Sequence, residues 1–382
     1  MLILNKGQKE IQKAARDFAK GEFDKDLAYD LDKNERFPKE IWEKAGELGF
    51  IGMHFPEKYS GQGMAVLDNV LVVEEFCRKD SSIGSAIALC GYGSECLMRF
   101  ADNVLKEALL PEVAEGRMLS GGAFIERGTG NDFTAIETTA IKDGEHWIIN
   151  GQKAYVLNGE TASFFILLAR TDPKVKEPNG ISMFLIERDR EGITVKDLGE
   201  KLGLRMTSLT DLYFKDVRIP GSYLIGKQGQ GVQLAQAFFN ESRIVIAALS
   251  LGTAQGAFDR ALDYVKQRVQ FGEKIVQFQV TQHKLAEMGI KIDSARCLVY
   301  DAAWKFDQGI MDSKLTAMAK LVAGRAATEV SNEAVQLLGG YGYIKEYEVE
   351  RYYRDAKSLE ILLGNRNYLK DIIAKSLIGK VR

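Results

Sequence analysis

The sequence predicts an α+β multidomain protein in which two helical segments flank a middle segment of antiparallel strands. Short runs of β-branched and aromatic residues, separated by turns, occupy positions 119–228. Longer apolar patterns of helical spacing occupy 1–118 and 229–382. No long helix falls between the strands, which favours antiparallel pairing. The predicted units are therefore an N-terminal α-helical domain, a middle antiparallel β domain and a C-terminal four-helix bundle.

The N-terminal segment contains four helical signals. Apolar residues recur at helical spacing over Gln8–Lys20, and a second helix starts at Pro38 and is closed by Gly49. Further along the chain, 66–77 and 83–100 are mostly apolar, which is typical of buried helices. The last of these is predicted as one unbroken helix.

The middle segment contains five strand signals, each bounded by turn residues such as Asn-Gly, Asp-Pro and Glu-Gly. They are HWIINGQKAYVL (146–157), FFILLAR (164–170), ISMFLIE (181–187), ITVKDL (193–198) and DLYFKDVRI (211–219).

The C-terminal segment predicts long helices over 231–267, 278–308 and 313–338, followed by a shorter set. Gly252 and Gly256 lie four residues apart within the first of these helices. Because glycine inside a helix costs roughly 1 kcal/mol relative to alanine, this pair predicts a close helix crossing or the close approach of a ligand.

Composition excludes several classes of protein. The 382 residues include 51 Lys and Arg against 53 Asp and Glu, so the formal net charge is −2. Nucleic-acid binders and polybasic membrane binders need a positive surface field, which argues against both. The four cysteines form no CxxC pair and the three histidines are scattered, so neither a metal site nor a disulfide framework is expected. The apolar runs are too short to span a bilayer, and a reducing cytoplasm is the expected setting.

Three local motifs carry chemistry. They are RVQFG (268–272), QLLGGYG (336–342) and ERYYRDAK (350–357). Taken alone, a Gly-Gly-x-Gly after a helix is usually a helix cap and turn. The functional interpretation is that glycine lets the backbone approach a phosphate or a ring, while Arg268 supplies positive charge.

The three motifs, in this order after a helical and a β segment, resemble the acyl-CoA dehydrogenase family, and the resemblance covers nearly the whole chain. It extends to INGQKAYVLNG (149–159), KLGLR (201–205), VRIPGSYLIGKQGQG (217–231) and FFNESR (238–243). The family implies FAD bound between the middle and C-terminal domains, usually in a homotetramer. It also implies a flavin that is reduced by an acyl thioester and reoxidised by an electron-transfer flavoprotein. A carboxylate on the face opposite the flavin takes the α-proton of the substrate.

The resemblance assigns contacts with the cofactor to two of the three motifs. Arg268 and Phe271 match positions that clasp the FAD of a neighbouring subunit. Gln336, Gly339 and Gly340 match the stretch that contacts its adenosine half.

Three further residues are expected near the flavin. Tyr155 stands where the family usually has tryptophan, and its aromatic plane still suits stacking, although an ordinary strand residue is the alternative. Leu157 replaces the hydroxyl residue that reaches the flavin N5, and Ile125 replaces the usual threonine. Asn365 ends the stretch 361–365, which also lies beside the cofactor in the family.

Four residues match substrate positions. Arg243 matches an arginine at the substrate end of its helix, and Asn240 replaces an aspartate near the CoA adenine. Asn131 belongs to the altered loop 126–132. Cys90 occupies the usual lining position of the acyl pocket, although its residue type more often marks a small buried apolar side chain.

Neither of the family's usual catalytic carboxylates is present. Leu363 occupies the first position and Ser242 the second. Glu241 is one residue away and points about 100° around the helix. Glu95 lies a turn beyond Cys90, where a solvated face is the more common role of such a residue. The catalytic base is therefore unassigned, with Glu241 and Glu95 as weak alternatives.

Three accounts follow from this pattern. The first is a dehydrogenase-type enzyme with a relocated base, acting on an alicyclic, unsaturated or carrier-bound acyl thioester. The second is an enoyl-thioester reductase or a flavin monooxygenase on the same fold. The third is a non-catalytic homologue that binds acyl-CoA or an acyl carrier protein. Flavin content separates the third account from the first two.

Overall fold

The computed structural model describes residues 3–172, 174–175 and 178–379. Helices form the N-terminal part of the chain, and most of them carry a side-chain cap, as Asp24 and Asp102 do for two of them. The helices are α1 (Lys6–Glu22), α2 (Lys25–Lys33), α3 (Lys39–Glu47), α4 (Val66–Lys79), α5 (Ser81–Ala88), α6 (Ser94–Phe100) and α7 (Asn103–Ala114).

The single helix predicted over 83–100 is wrong. The chain forms α5 and α6 with a break between them, where Gly93 takes a φ of 101° that side-chain-bearing residues rarely adopt. Gly91 forms an isolated parallel bridge to Ser120 at this break. The apolar composition of the segment hid the interruption, and Tyr92 lies in the connection between the two helices.

The middle of the chain is one eight-stranded sheet. Its strands are β1 (Ser120–Ala123), β2 (Thr139–Asp143), β3 (His146–Leu157), β4 (Phe164–Arg170), β5 (Ile181–Glu187), β6 (Ile193–Asp197), β7 (Leu209–Pro220) and β8 (Leu224–Ile225). The order is β6-β7-β3-β2-β4-β5-β8, with β1 also paired to β4. Pairing is mainly antiparallel, as predicted, but β1 runs parallel to β4, and β2 meets β4 in parallel at one position. The parallel β1–β4 pairing is possible because the chain between them passes through β2 and β3.

The C-terminal part is a bundle of long helices, and the predicted boundaries are close to those observed. The helices are α8 (Gly231–Gln267), α9 (Gln279–Asp307), α10 (Ser313–Leu338), α11 (Val349–Ile361) and α12 (Arg366–Ile378). A two-stranded hairpin, β9 (Val269–Gln270) with β10 (Glu273–Lys274), joins α8 to α9. The helix α8 is buried along most of its length, because α4 packs on it as well as α9, α10 and α11.

Gly252 and Gly256 make the close helix crossing that their spacing predicts. A β-carbon at Gly252 would lie 2.4 Å from the backbone oxygen of Glu74. This crossing joins α8 of the bundle to α4 of the N-terminal part. Within the described residues, no helix has both the length and the apolar character needed to cross a membrane.

Candidate active site

A cleft with about 510 Å³ of free space opens between the sheet, α8 and the connection from α11 to α12. Most of its wall is apolar, and five polar side chains face it, which is typical of a site for an organic ligand. Its lining residues are Tyr92, Gly122, Phe124, Ile125, Asn131, Phe133, Ala154, Tyr155, Leu157, Phe239, Arg243, Leu362, Leu363 and Tyr368.

Six residues singled out from the sequence meet in this cleft: Ile125, Asn131, Tyr155, Leu157, Arg243 and Leu363. They come from a loop, a strand, a helix and the segment after α11, so only the tertiary fold brings them together. Tyr155 is half exposed and has a φ of 55°, and the pairing of β3 with β7 shifts register between Lys153 and Val156. The irregular strand therefore presents the Tyr155 ring at the cleft.

Arg243 brings a buried positive charge to the cleft. Its Nη1 donates to Oδ1 of Asn240 over 2.7 Å, and its Nε has no partner within the described part of the chain. Its guanidinium lies 5.8 Å from the ring centre of Tyr368. Burial lowers the pKa of Arg243 from its usual value. The unpaired Nε is a free donor in a weakly polar site.

Asn240 supports Arg243 and does not line the cleft. Its side-chain amide donates to Oγ of Ser313 over 3.0 Å while its oxygen accepts from Arg243. The family resemblance associates Asn240 with the substrate, and in the structure its hydrogen bonds hold Arg243 beside the cleft.

Leu363 lies at the cleft on a short segment with unusual backbone. Its φ is 57°, and it follows the end of α11. Buried Lys320 holds this segment, since its Nζ donates to the backbone oxygens of Glu360 at 2.7 Å and Gly364 at 3.0 Å. Burial lowers the pKa of Lys320 to about 7, opposed by the Glu360 carboxylate and reinforced by the Arg243 charge. Lys320 was not identified from the sequence, because a lysine inside a helix gives no sign of burial.

A buried ion pair fixes the loop that borders the other wall. Nζ of Lys153 lies 2.7 Å from Oε1 of Glu126, and Glu126 also accepts from the backbone N–H groups of Glu137 and Thr138. Desolvation lowers the pKa of Lys153 to about 8, against the attraction of Glu126. Because Ile125 and Asn131 adjoin this anchored loop, their positions at the cleft are set by it.

Four further cofactor candidates line a separate groove of about 790 Å³ at the far end of α8. They are Arg268 from the RVQFG motif and Gln336, Gly339 and Gly340 from the QLLGGYG motif. The Arg268 guanidinium lies 5.3 Å from the ring centre of Tyr341.

Two cofactor candidates lie outside both of these spaces. Phe271, in the hairpin after α8, is 95% exposed. Asn365 caps α12, and its Oδ1 accepts from the backbone N–H groups of Asn367 and Tyr368. Asn365 therefore has a structural role that its match to the cofactor stretch did not predict.

The two weak candidates for the base have different surroundings. Glu241 forms a bidentate ion pair with Arg99, in which Nη2 of Arg99 lies 2.6 Å from Oε1 of Glu241. Glu95 has no ion pair with Lys or Arg, and its Oε2 has no partner among the described residues. Desolvation, followed by the Glu241 charge, raises the pKa of Glu95 to about 8. Ser242 donates its hydroxyl to the backbone oxygen of Phe238 at 2.9 Å.

Cys90 is buried beside α3 and α4 and lies outside the cleft. Burial raises the pKa of its thiol to about 12, which makes it unreactive at neutral pH. Cys77 and Cys96 are also buried, whereas Cys297 on α9 is exposed. The described residues contain no cluster of three or more His, Cys, Asp or Glu side chains able to hold a metal ion.

Comparison with known proteins agrees with this architecture. The chain matches the acyl-CoA dehydrogenase N-terminal domain over 5–117, the middle domain over 122–217 and the C-terminal domain over 229–378. It is 38% identical to the probable acyl-CoA dehydrogenase FadE25 of Mycobacterium tuberculosis, over 97% of this chain and 95% of that protein. It is 34% identical to acryloyl-CoA reductase (NADH) of Anaerotignum propionicum, over 99% and 96% of the two chains. The structure of the FAD complex of PigA superposes with a TM-score of 0.94 at 28% identity, covering 99% of both chains.

The chain belongs to the acyl-CoA dehydrogenase family. It is a flavoprotein oxidoreductase of this family, and its cofactor is FAD.

Proposed function

We propose that the chain is an acyl-thioester oxidoreductase of the dehydrogenase type in which Tyr92, and no carboxylate, exchanges a proton with the substrate. The observation that carries this proposal is the cleft lining. Its ionisable side chains are Tyr92, Tyr155, Arg243 and Tyr368, and Leu363 stands where relatives have a base. A proton-transfer group must lie within reach of the reacting carbon, so the candidates come from this set.

The cleft fits a flavin through its chemistry. Tyr155 offers a flat aromatic face, Leu157 and Phe124 offer apolar contact, and the unpaired Nε of Arg243 offers a donor. When bound, FAD supplies or accepts a hydride, and the chain itself must bind the thioester, exclude water and move the proton. The apolar side chains around Leu363 would exclude water from the cleft.

Tyr92 suits proton donation better than proton acceptance. Its ring packs against Phe124 and Phe238, and its hydroxyl has no hydrogen bond to any described residue. Burial raises its pKa well above the usual value of 10, so the phenol stays protonated at neutral pH. In the reducing direction the protonated phenol gives its proton to the α-carbon of an enoyl thioester, and in dehydrogenation the phenolate, once formed, takes the proton from that carbon. The raised pKa favours reduction, which makes an enoyl-thioester reductase the second candidate function.

The competing carboxylates support this choice. The charge of Glu241 is balanced by Arg99. If Glu241 accepted a proton, the attraction within this buried ion pair would be lost. Glu95 faces a separate cavity on the other side of Tyr92. A base at Glu95 would need the substrate to pass Tyr92, whereas Tyr92 already lines the cleft.

The two grooves argue for an assembly of copies. Arg243 lies in the N-terminal half of α8 and Arg268 directly follows its last residue, so the two are roughly 37 Å apart at about 1.5 Å per residue. This separation exceeds an extended FAD molecule, so the Arg268 groove is assigned to the adenosine half of the FAD of a second copy. A homotetramer, with electron-transfer flavoprotein as the electron acceptor, is proposed on the family pattern.

The test is the visible spectrum of the anaerobic holoenzyme. Bleaching of oxidised flavin by a saturated acyl thioester, CoA- or carrier-bound, identifies a dehydrogenase. Recolouring of dithionite-reduced flavin by an enoyl thioester identifies a reductase. A flavin inert to both sets, or a purified chain that takes up no FAD, overturns the proposal in favour of a monooxygenase or a non-catalytic binder respectively.

Tyr92→Phe tests the proton donor. We expect at least a roughly 100-fold loss in the rate of the active half-reaction with flavin binding retained. The matched control is Tyr59→Phe, which alters another buried tyrosine, outside the cleft. Equal rates in Tyr92→Phe and Tyr59→Phe would remove Tyr92 from the mechanism.

A further inference from the structure

A second, smaller cavity lies behind Tyr92, enclosed by α4, α5, α6 and α8. Its polar lining comes from His54, Asn69, Glu95, Glu241 and Ser242. Tyr92 lines both this cavity and the cleft, so the two spaces share one wall. A chain that enters the cleft and passes Tyr92 therefore ends among these polar groups.

The cavity contains buried polar atoms without partners. Both ring nitrogens of His54 and Oε2 of Glu95 make no hydrogen bond within the described part of the chain. The His54 Nε2 and Glu95 Oε1 atoms face each other at 3.8 Å, beyond hydrogen-bond distance. Most buried polar atoms in proteins have a hydrogen-bond partner. The unpaired atoms on the facing side chains of His54 and Glu95 therefore indicate a missing partner.

The lining offers donors and acceptors but no free charge. Glu241 is balanced by Arg99, whose guanidinium also lies 4.9 Å from the ring centre of Phe306. Burial lowers the pKa of His54, and it raises the pKa of Glu95 to about 8. Both groups are therefore mainly neutral at pH 7. A carboxylate would find no unpaired cation here, and an ammonium would first require Glu95 to ionise.

We propose that this cavity receives the far end of the acyl chain, and that this end carries a hydroxyl group that lies beside His54 and Glu95 and hydrogen-bonds to both. A hydroxyl both donates and accepts, so it can satisfy the two facing side chains at once, whereas a methyl group leaves them unpaired. This inference rests on the proposed function, since it needs an acyl thioester in the cleft. A trapped water molecule is the competing occupant, because the cavity has room for one.

The test uses matched acyl-pantetheine thioesters, which carry the portion common to CoA and carrier-bound substrates. Binding to the holoenzyme is measured by calorimetry for propionyl, butyryl and pentanoyl thioesters against their ω-hydroxy counterparts. We expect the ω-hydroxy compound to bind about tenfold more tightly at one of these lengths. Weaker or equal binding of all three hydroxy compounds overturns the inference while leaving the proposed function intact. Failure of every thioester to bind overturns both.

Glu95→Met separates ligand recognition from a structural role. An apolar side chain of similar size removes the unpaired oxygens, so the ligand-free variant should melt at a higher temperature than the parent chain. The same variant should lose the preference for the hydroxyl group. A variant that melts lower and keeps the preference would assign Glu95 to a water-bridged structural network instead. Glu112→Gln, at the protein surface, serves as the control for the loss of a carboxylate.

Discussion

Gly256 of α8 packs so closely on Arg78 of α4 that a β-carbon at position 256 would stand 2.3 Å from the Arg78 backbone oxygen. The ring of Tyr352 would lie 2.5 Å from the same carbon. We expect Gly256→Ala to lower the free energy of unfolding by about 1–3 kcal/mol, because neither neighbour can move freely. Urea denaturation measures this.

The control is Gly289→Ala in α9, where an added β-carbon meets no atom within 4 Å. This change should raise stability by about 0.5–1 kcal/mol through the smaller entropy of the unfolded chain. If both Gly256→Ala and Gly289→Ala raise the free energy of unfolding, helix propensity and not the crossing decides the outcome at Gly256.

Leu363→Glu should create a proton acceptor in the cleft. The apolar neighbours Phe124, Phe239 and Leu362 would raise the pKa of the new carboxyl group, opposed by the positive charge of Arg243. We expect exchange of the α-proton of butyryl-CoA with deuterated water to increase by about 100-fold, as mass spectrometry would show. Leu363→Gln supplies the same bulk without a basic group. Equal exchange in the two variants would mean that substrate geometry has changed along with the base.

Lys320 gives stability a specific dependence on pH. The folded protein releases this proton near pH 7, whereas the unfolded chain keeps it to its usual pKa of 10.5. Between these values the unfolded chain binds more protons, so the contribution of Lys320 to the free energy of unfolding rises with pH. The free energy of unfolding of the parent chain minus that of Lys320→Met should therefore become more positive from pH 7 to 10.

Denaturation curves at several pH values measure this difference. Lys314→Met, in the same helix, shows what the loss of any lysine contributes there. A constant difference between the parent chain and Lys320→Met would contradict the expected titration.

Arg268→Met should weaken FAD binding by about 10- to 100-fold, because a charge-assisted hydrogen bond to the cofactor contributes roughly 1.5–3 kcal/mol. Fluorescence titration of the apoprotein with FAD measures the affinity, and light scattering measures the number of copies in the assembly. Lys266→Met removes an exposed charge two residues earlier and should change neither. Unchanged FAD affinity in Arg268→Met would leave the second groove without its proposed occupant.

Local patterns were sufficient for most of the fold. The bounds of α8 and α10 match the predicted ranges. Asp312 caps the start of α10 and Gly339 follows its end, while α8 ends where the β9–β10 hairpin begins. The break between α5 and α6 was missed, since the segment is mostly apolar and the break depends on the positive φ of Gly93. The parallel pairing of β1 was also beyond local patterns, because it joins residues far apart in the chain.

The candidate site was predictable only where a motif marked it. Arg243, Tyr155 and Leu363 were found through their matches to family positions, and all three line the cleft. His54 and Lys320 gave no signal in the sequence, because their importance lies in burial among residues from other helices. In the sequence, a single histidine or lysine gives no indication of whether its side chain is exposed to solvent or buried in a cavity.

The placement of the cysteines makes the chain suitable for spectroscopic labelling. Cys77, Cys90 and Cys96 are enclosed, while Cys297 is open to reagents. A maleimide spin label should therefore attach once per chain, and pulsed dipolar spectroscopy would then give distances between copies. Labelling that succeeds in the separated chain but fails in the assembled protein would place α9 at a contact between copies. One exposed sulfur atom thus reports the quaternary arrangement without any engineered residue.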